Sequence, residues 1–226
     1  MKDKIIRSDH AVTLVGGGDV GPEDLALALK RAPLLAAADA GAGTALEQGH
    51  MPTAVIGDFD SLSDAHRASL PPEILFRISE QDTTDFEKAL SRIAAPLVIA
   101  VGFLGHRVDH QLAAFNTLVR LHDHRCLLIG RHEVIFHLPP RIEVALEPGD
   151  TVSLFPLRDL SGRSTGLEWP IEGLDFSAGG RIGTSNRAQG AVTLDTSGPG
   201  LLAMMPRRRL DAVIDAVRFL TDVHRS

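Results

Sequence analysis

The chain has 226 residues, 44% of them hydrophobic and 23% charged, proportions that support a sizeable core and exclude a largely disordered chain. Its formal net charge of -6 lacks the basic surplus of a nucleic-acid binder. The single cysteine, Cys126, excludes an intrachain disulfide, and no apolar run approaches the roughly 20 residues that span a bilayer.

Residues 1–10 are charged and carry no apolar stretch of the signal-peptide kind. A soluble, cytoplasmic protein is expected, with neither nucleic acid nor membrane as a partner. Residues 12–15 read as a buried strand ending at Gly16-Gly17-Gly18-Asp19. A helix should follow, with Pro22 near its first position, Glu23 and Asp24 in its first turn, and Leu25 and Leu29 at helical spacing. Residues 34–38 form a second strand candidate ending at Asp39, and residues 53–56 a third ending at Gly57-Asp58. Helical patterns run through 84–94 and 108–122, on either side of a strand at 97–101 that ends at Gly102. Strands alternating with helices predict a parallel sheet with helices on its faces. Cys126 opens an apolar run over 126–129 and reads as a buried, inert thiol.

After Pro139-Pro140 the helical spacing disappears. Short strands are predicted at 142–146, 151–155, 191–194 and 201–205, separated by turn residues such as Glu147-Pro148-Gly149-Asp150. That rhythm predicts an antiparallel sandwich or barrel. The chain is therefore divided into an α/β domain over 11–138, Rossmann-like with a parallel sheet, and an all-β sandwich domain over 141–226 with a terminal helix. That helix is placed at 207–225, with Leu210, Val213, Ile214, Val217 and Leu220 on one face. It would pack on the second domain or across an oligomer interface. Arg207-Arg208-Arg209 reads as its solvated start.

In an open parallel sheet, ligands bind beyond the carboxyl ends of the strands. Asp39, then Asp58 and Asp60, fall at such ends, and Glu80-Gln81-Asp82-Thr83-Thr84-Asp85 precedes a helix. Taken singly, Thr84 or Asp85 could cap a helix, Asp58 and Asp60 could form a turn, and the glycine triplet could be a tight turn. Together, Asp58, Asp60, Asp82 and Asp85 would converge on one edge of the sheet. Clustered carboxylates repel unless a cation or proton intervenes. Oxygen ligands without a His/Cys set point to magnesium, which commonly shares its shell with phosphates. Arg107 and Lys88 would add positive charge for the same phosphates. The remaining histidines, among them His122 and His137, show no ligand spacing tied to the acids and read as surface or packing residues.

At these residues the chain resembles the thiamine pyrophosphokinase family. The likeness is carried by Gly57-Asp58-Phe59-Asp60-Ser61, by Gln81-Asp82-Thr83-Thr84-Asp85-Phe86-Glu87-Lys88, and by Gly102-Phe103-Leu104-Gly105-His106-Arg107-Val108-Asp109-His110. It extends to Asp39-Ala40-Gly41 upstream and Gly183-Thr184-Ser185-Asn186 downstream. The resemblance implies an α/β nucleotide-binding domain followed by a β-sandwich. It also implies a homodimer, with thiamine bound between the α/β domain of one subunit and the sandwich of the other. By this similarity Asp58, Asp60 and Asp85 would hold Mg2+. Gln81 and Asp82 would border phosphates and substrate, and Asp39, Lys88, Arg107 and Asp109 would belong to the nucleotide site. Trp169 would be an apolar wall for thiamine, with Ser185 and Asn186 near its aminopyrimidine ring. The chain departs from the family pattern at His106, where glycine is usual, at Glu80, where aspartate is usual, and at Ala40.

The reaction so implied moves a pyrophosphoryl group from ATP to the hydroxyl of thiamine. Asp82 or Asp60 would accept the hydroxyl proton, and Asp85 and Arg107 would complete the catalytic set. A pyrophosphokinase acting on a hydroxymethyl pterin, and a non-catalytic thiamine or nucleotide sensor, are the competing readings.

Overall fold

The computed structural model describes residues 3–105 and 107–219, which fall into two compact units. Residues up to Thr117, with Cys126–Ile129, make the first; Leu118–Arg125 and the residues from Gly130 onward make the second.

The elements up to Ile129 are β1 (Ile6–Arg7), β2 (Val12–Val15), α1 (Asp24–Leu29), β3 (Leu34–Ala38), α2 (Gly41–Glu47), β4 (Ala54–Gly57), α3 (Asp64–Ala68), β5 (Leu75–Arg77), α4 (Asp85–Leu90), β6 (Ile93–Ala94), β7 (Val98–Val101), α5 (Val108–Arg120) and β8 (Cys126–Ile129). The sheet of the first unit is ordered β8-β7-β2-β3-β4-β5, and every neighbouring pair is parallel. β2, β4, β7 and β8 are buried at every position. A parallel strand covered on both faces is mostly apolar, which is why these segments read as runs without alternation; the one polar side chain of β2, Thr13, is buried with its hydroxyl donating to the Ala32 carbonyl at 2.6 Å. α1 packs on β7 and β2, α2 on β3 and β2, and α4 on β4 and β3.

From β2 the chain steps outward through β3, β4 and β5, then returns on the other side of β2 as β7. The reversal leaves a crevice beyond the carboxyl ends of β2 and β7, the place where such sheets accept ligands.

The helix expected over 84–94 is shorter. α4 ends at Leu90, and Ile93–Ala94 is instead a strand paired in parallel with β1. Side chains end the helix: Ser91 Oγ and Arg92 Nη1 both donate to the Lys88 carbonyl, while the Arg92 carbonyl accepts from the Ile5 and Ile6 N–H groups.

From Glu133 on, the elements are β9 (Glu133–His137), β10 (Arg141–Val144), β11 (Thr151–Pro156), β12 (Leu160–Leu167), β13 (Asp175–Phe176), β14 (Gly183–Thr196), β15 (Leu201–Pro206) and α6 (Leu210–Phe219). Their pairings are antiparallel, in the order β13-β12-β14-β11-β15-β9 with β10 also on β14. The strand expected at 191–194 is the middle of β14, which has 14 residues and pairs first with β11, then with β10 and β12 together. Ile142, Val144, Val152, Leu154, Val192 and Leu194 are buried at alternate positions, giving the second unit its core. α6 packs on β10 through a face that buries Leu210, Val213, Ile214 and Val217. Leu220 and the rest of the helix expected to 225 lie outside the described residues.

Arg207-Arg208-Arg209 leads into the terminal helix as expected, and the Arg208 side chain is 65% exposed, but solvation is not its whole role. It forms a 3-10 turn whose guanidiniums are engaged: Arg207 donates to the Gly130 carbonyl, and Arg208 and Arg209 both bind Asp150. Arg209 also donates to Glu147 at 2.8 Å. The Asp150 side chain is 1% exposed, so the buried carboxylate itself explains the need for the two guanidiniums. Among the described residues no helix is long and apolar enough to cross a membrane.

Candidate functional site

Asp39 is the residue immediately after β3, in a left-handed conformation at φ 43°. Its N–H donates to Ile56 on the neighbouring β4, and its carbonyl accepts from Ala42 in the first turn of α2. Gly57 makes room for it: a Cβ there would lie 2.9 Å from the Asp39 Cβ. The side chain is 1% exposed, and neither carboxylate oxygen has a hydrogen-bond partner among the described residues. Burial pushes its carboxyl up to about 7, helped by the charges of Asp85, Asp58 and Asp60. The Ser61 N–H pulls weakly the other way without making a standard hydrogen bond.

Asp58 and Asp60 follow β4. Phe59 between them is left-handed at φ 68° and buried, with the Arg67 guanidinium 5.7 Å from its ring centre. This turn lets Asp58 Oδ1 accept the Asp60 N–H at 3.3 Å, and Ser61 Oγ donates to Asp60 at 2.9 Å. One carboxylate oxygen from each of Asp39, Asp58 and Asp60 lies within 4.8 Å of the others, a grouping that could hold a metal ion.

Asp85 opens α4. Thr84 supplies the cap, its hydroxyl accepting the Glu87 N–H, so the Asp85 carboxylate is free for other work. Burial raises the Asp85 carboxyl, with Asp58 and Asp60 adding to the shift and Lys88 opposing it. One turn on, Lys88 is itself buried and donates to Asp58 Oδ2 at 2.6 Å and Asp85 Oδ1 at 3.4 Å. Burial works against its ammonium, but the two carboxylates outweigh that and hold its proton more tightly. Gln81 Nε2 also donates to Asp58 Oδ2, at 3.3 Å. Glu80 shapes the preceding loop, accepting from the Asp82 and Thr83 N–H groups and from the Thr83 hydroxyl. Asp82, expected to join the other acids, is exposed and is neither in the group of Asp39, Asp58 and Asp60 nor on the pocket lining.

A pocket of about 240 Å³ opens beside these groups, lined in part by Gly17, Gly18, Asp39, Asp85, Gly102 and Arg107. It lies at the reversal of strand order between β2 and β7. Gly102 is obligatory there: at φ 76° a Cβ would meet the Gly16 carbonyl oxygen at 2.5 Å. Arg107 and Asp109 are paired through two hydrogen bonds of 3.1 and 2.6 Å, and the guanidinium holds Asp109 down to about 2. His106 lies outside the described residues.

Asp39, Asp58, Asp60, Asp85, Gln81 and Lys88 are thus brought together in the first unit. The sequence reading assigned Asp39 to the nucleotide rather than to the carboxylate cluster. It left out Ser61, Phe103 and Ala114, which line the pocket. The signal for Asp39 was its place directly at a strand end, the same signal that marked Asp58. Lys88, read as a phosphate contact, is engaged by Asp58 and Asp85. Trp169, Ser185 and Asn186 belong to the second unit, where Trp169 is 54% exposed and Asn186 is buried.

The first unit is an α/β body with a parallel sheet and a pocket at its switch point lined in part by Asp39 and Asp85, the class of fold that takes its ligands at that place. Sequence models give the family. The thiamin pyrophosphokinase catalytic domain matches residues 25–129, and the thiamin pyrophosphokinase vitamin B1 binding domain matches residues 137–201. The chain belongs to the thiamin pyrophosphokinase family. It is 30% identical over 173 residues to thiamine pyrophosphokinase 1 of Oryza sativa subsp. japonica, covering 68% of this chain and 65% of the relative. It is 29% identical over 163 residues to thiamine pyrophosphokinase 1 of Arabidopsis thaliana, covering 63% and 60%. The chain therefore spans less than two thirds of the length of these curated relatives. Among solved structures, thiamin pyrophosphokinase of Geobacillus thermodenitrificans superposes with a TM-score of 0.72 at 26% identity, covering 87% of this chain and 96% of the other. The enzyme of Candida albicans shares the fold at a TM-score of 0.74 and 16% identity, covering 91% and 97%.

Proposed function

We propose that this chain catalyses transfer of the pyrophosphoryl group of ATP to the hydroxyl of thiamine, giving thiamine diphosphate and AMP in a magnesium-dependent reaction. The observation that carries the reading is the buried Asp39 carboxylate, both of whose oxygens lack a partner among the described residues, set against Asp58 and Asp60 beside a pocket at the switch point. A buried carboxylate left in that state asks for a cation. An all-oxygen donor set suits Mg2+. Asp58 and Asp60, with Asp39 and Asp85, would hold that ion, which when bound neutralises phosphate charge.

The glycines of the pocket leave space for a triphosphate, with Arg107 on the wall to bind phosphate oxygens. Lys88 fixes Asp58 and Asp85 relative to one another. In the transfer, the thiamine hydroxyl oxygen bonds to the β-phosphorus as the bridge to the α-phosphate breaks and AMP leaves. Asp82 or Asp60 takes the hydroxyl proton. Residues 11–138 would serve ATP and residues 141–226 thiamine, with the exposed Trp169 ring facing the cationic substrate. The active species would be a cytoplasmic homodimer with active sites at its interface.

Turnover of thiamine and of a hydroxymethyl pterin, measured side by side, tests the substrate; pterin conversion without thiamine conversion overturns it. Asp60→Asn should lose turnover by at least about a hundredfold, because a ligand of the cation is lost, while the cation-free chain melts no lower than wild type, because charge repulsion in the cluster falls. Full activity in that variant removes Asp60 from the site.

A further inference from the structure

Trp169 is the largest exposed ring in the second unit, yet the loop that carries it is pinned on both sides. The Glu168 N–H donates to the Arg187 carbonyl at 2.8 Å, and the Ile171 N–H to Ser164 Oγ at 3.1 Å. Glu172 Oε1 accepts the Ser164 N–H at 3.1 Å. Between these pins, the Asn186 side chain takes both backbone groups of Trp169 itself. Asn186 Oδ1 accepts the Trp169 N–H at 3.2 Å, and Asn186 Nδ2 donates to the Trp169 carbonyl at 2.6 Å. Oδ1 also accepts the Arg187 N–H at 2.8 Å.

A carboxamide here imitates one residue of a β-strand, offering a donor and an acceptor to the opposite chain. It does so past Leu167, the last residue at which β12 pairs with β14. Trp169 can only donate through its nitrogen and accept through its oxygen, so the orientation of the amide is fixed by chemistry.

A bulge lies immediately before Asn186 on β14. On β11, Val152 and Leu154 are one residue apart from adjacency; their partners on β14, Asn186 and Gly183, have Thr184 and Ser185 between them. The extra residue is taken up at Ser185, left-handed at φ 64°, whose N–H donates to Ser153 Oγ at 3.0 Å. Asn186 itself, two residues before Ala188, lies by ordinary alternation on the buried row of Ala188, Val192 and Leu194; the bulge changes the phase of the residues before it.

We infer that Asn186 is a positioning residue: it holds the backbone of Trp169 so that the indole stands as a preformed flat wall for the heteroaromatic, cationic substrate. Its carboxamide serves the protein backbone and reaches the substrate only through Trp169. This inference rests on the thiamine reading above.

Trp169 is the chain's single tryptophan, so its emission reports on this loop alone. Asn186→Asp keeps an acceptor for the two N–H groups and loses the donor to the Trp169 carbonyl. In the ligand-free variant the fluorescence anisotropy of Trp169 should fall. The KM for thiamine should rise about five- to tenfold with kcat within about twofold of wild type, the effect expected from losing one backbone-anchoring hydrogen bond. A direct contact of the carboxamide with the substrate also predicts a higher KM, but leaves the anisotropy of Trp169 in the ligand-free variant unchanged, so the anisotropy separates the two. Asn186→Ala, which adds no charge, is read through the same anisotropy and KM and carries the test if the aspartate variant fails to fold. Unchanged anisotropy in the folded variant, or a KM that stays level or falls, overturns the inference. Trp169→Ala separates it from the reading beneath: an unchanged thiamine KM there removes Trp169 from the substrate site, whatever the anisotropy of the Asn186 variants shows.

Discussion

Asp39 concentrates the physical cost of the site in one side chain. Fully enclosed and without a hydrogen-bond partner among the described residues, it is destabilising when ionised. Its carboxyl is raised from the ordinary 3.8 to about 7 in the folded chain, so between those values the folded state binds the proton that the unfolded state has lost. Stability of the cation-free chain therefore falls as pH rises from about 4 to 7. Asp39→Asn removes this charge. It should raise the melting temperature of the cation-free chain at pH 8, with the gain shrinking toward pH 4. Saturating magnesium should stabilise the wild type and leave the variant unmoved. A variant no more stable than wild type at pH 8 would show that Asp39 is not the strained group. Of the site residues, Asp58, Asp60 and Asp85 could be read from strand ends and loop position. The engagement of Lys88 by two of them could not, because nothing in its spacing says that its ammonium is buried rather than free for a ligand.

At the scale of elements, legibility followed length and burial. The runs of β2, β3 and β7 announce themselves because strands covered on both faces do not alternate with solvent-facing polar residues. β1 and β6 have two residues each, too few to show any period, and Ile93–Ala94 continues the apolar spacing of α4 well enough to pass for helix. β14 was read as a four-residue strand because its bulge at Ser185 and Gly190, at φ 145°, interrupt the alternation that marks a longer one. The engagement of the arginine triplet was missed because its partner lies far off in sequence: Asp150 precedes β11 and the guanidiniums follow β15. Burial opposes ionisation of Asp150, but the Glu147 N–H and the two guanidiniums hold its carboxyl below the ordinary range. Asp150→Ala leaves those donors without their carboxylate. It should cost about 2 kcal/mol in denaturant unfolding, read as a lower urea midpoint at unchanged slope. A midpoint equal to that of wild type would reduce the clamp to a surface contact.

For the whole molecule, parallel pairing in the first unit gives way to antiparallel pairing in the second, and the change begins with β9, ahead of Pro139-Pro140. The strand order of the first unit, with its reversal between β2 and β7, decides where acids at separate strand ends can meet. No periodicity shows that reversal. The ordered set of family motifs pointed to the same residues by resemblance, and the geometry supplies the reason: strand ends at one rim, a glycine at position 57 that admits Asp39, and a left-handed Phe59 that brings Asp58 and Asp60 together.

The central claim is that this rim of carboxylates supports pyrophosphoryl transfer rather than transfer of a single phosphoryl group. It is tested most directly by identifying the nucleotide released when the purified chain is incubated with ATP and thiamine, with magnesium and with magnesium removed by chelation. The account predicts AMP in equal amount to thiamine diphosphate, lost on chelation and restored on adding the metal back. Release of ADP, or AMP formation indifferent to the divalent cation, would contradict it.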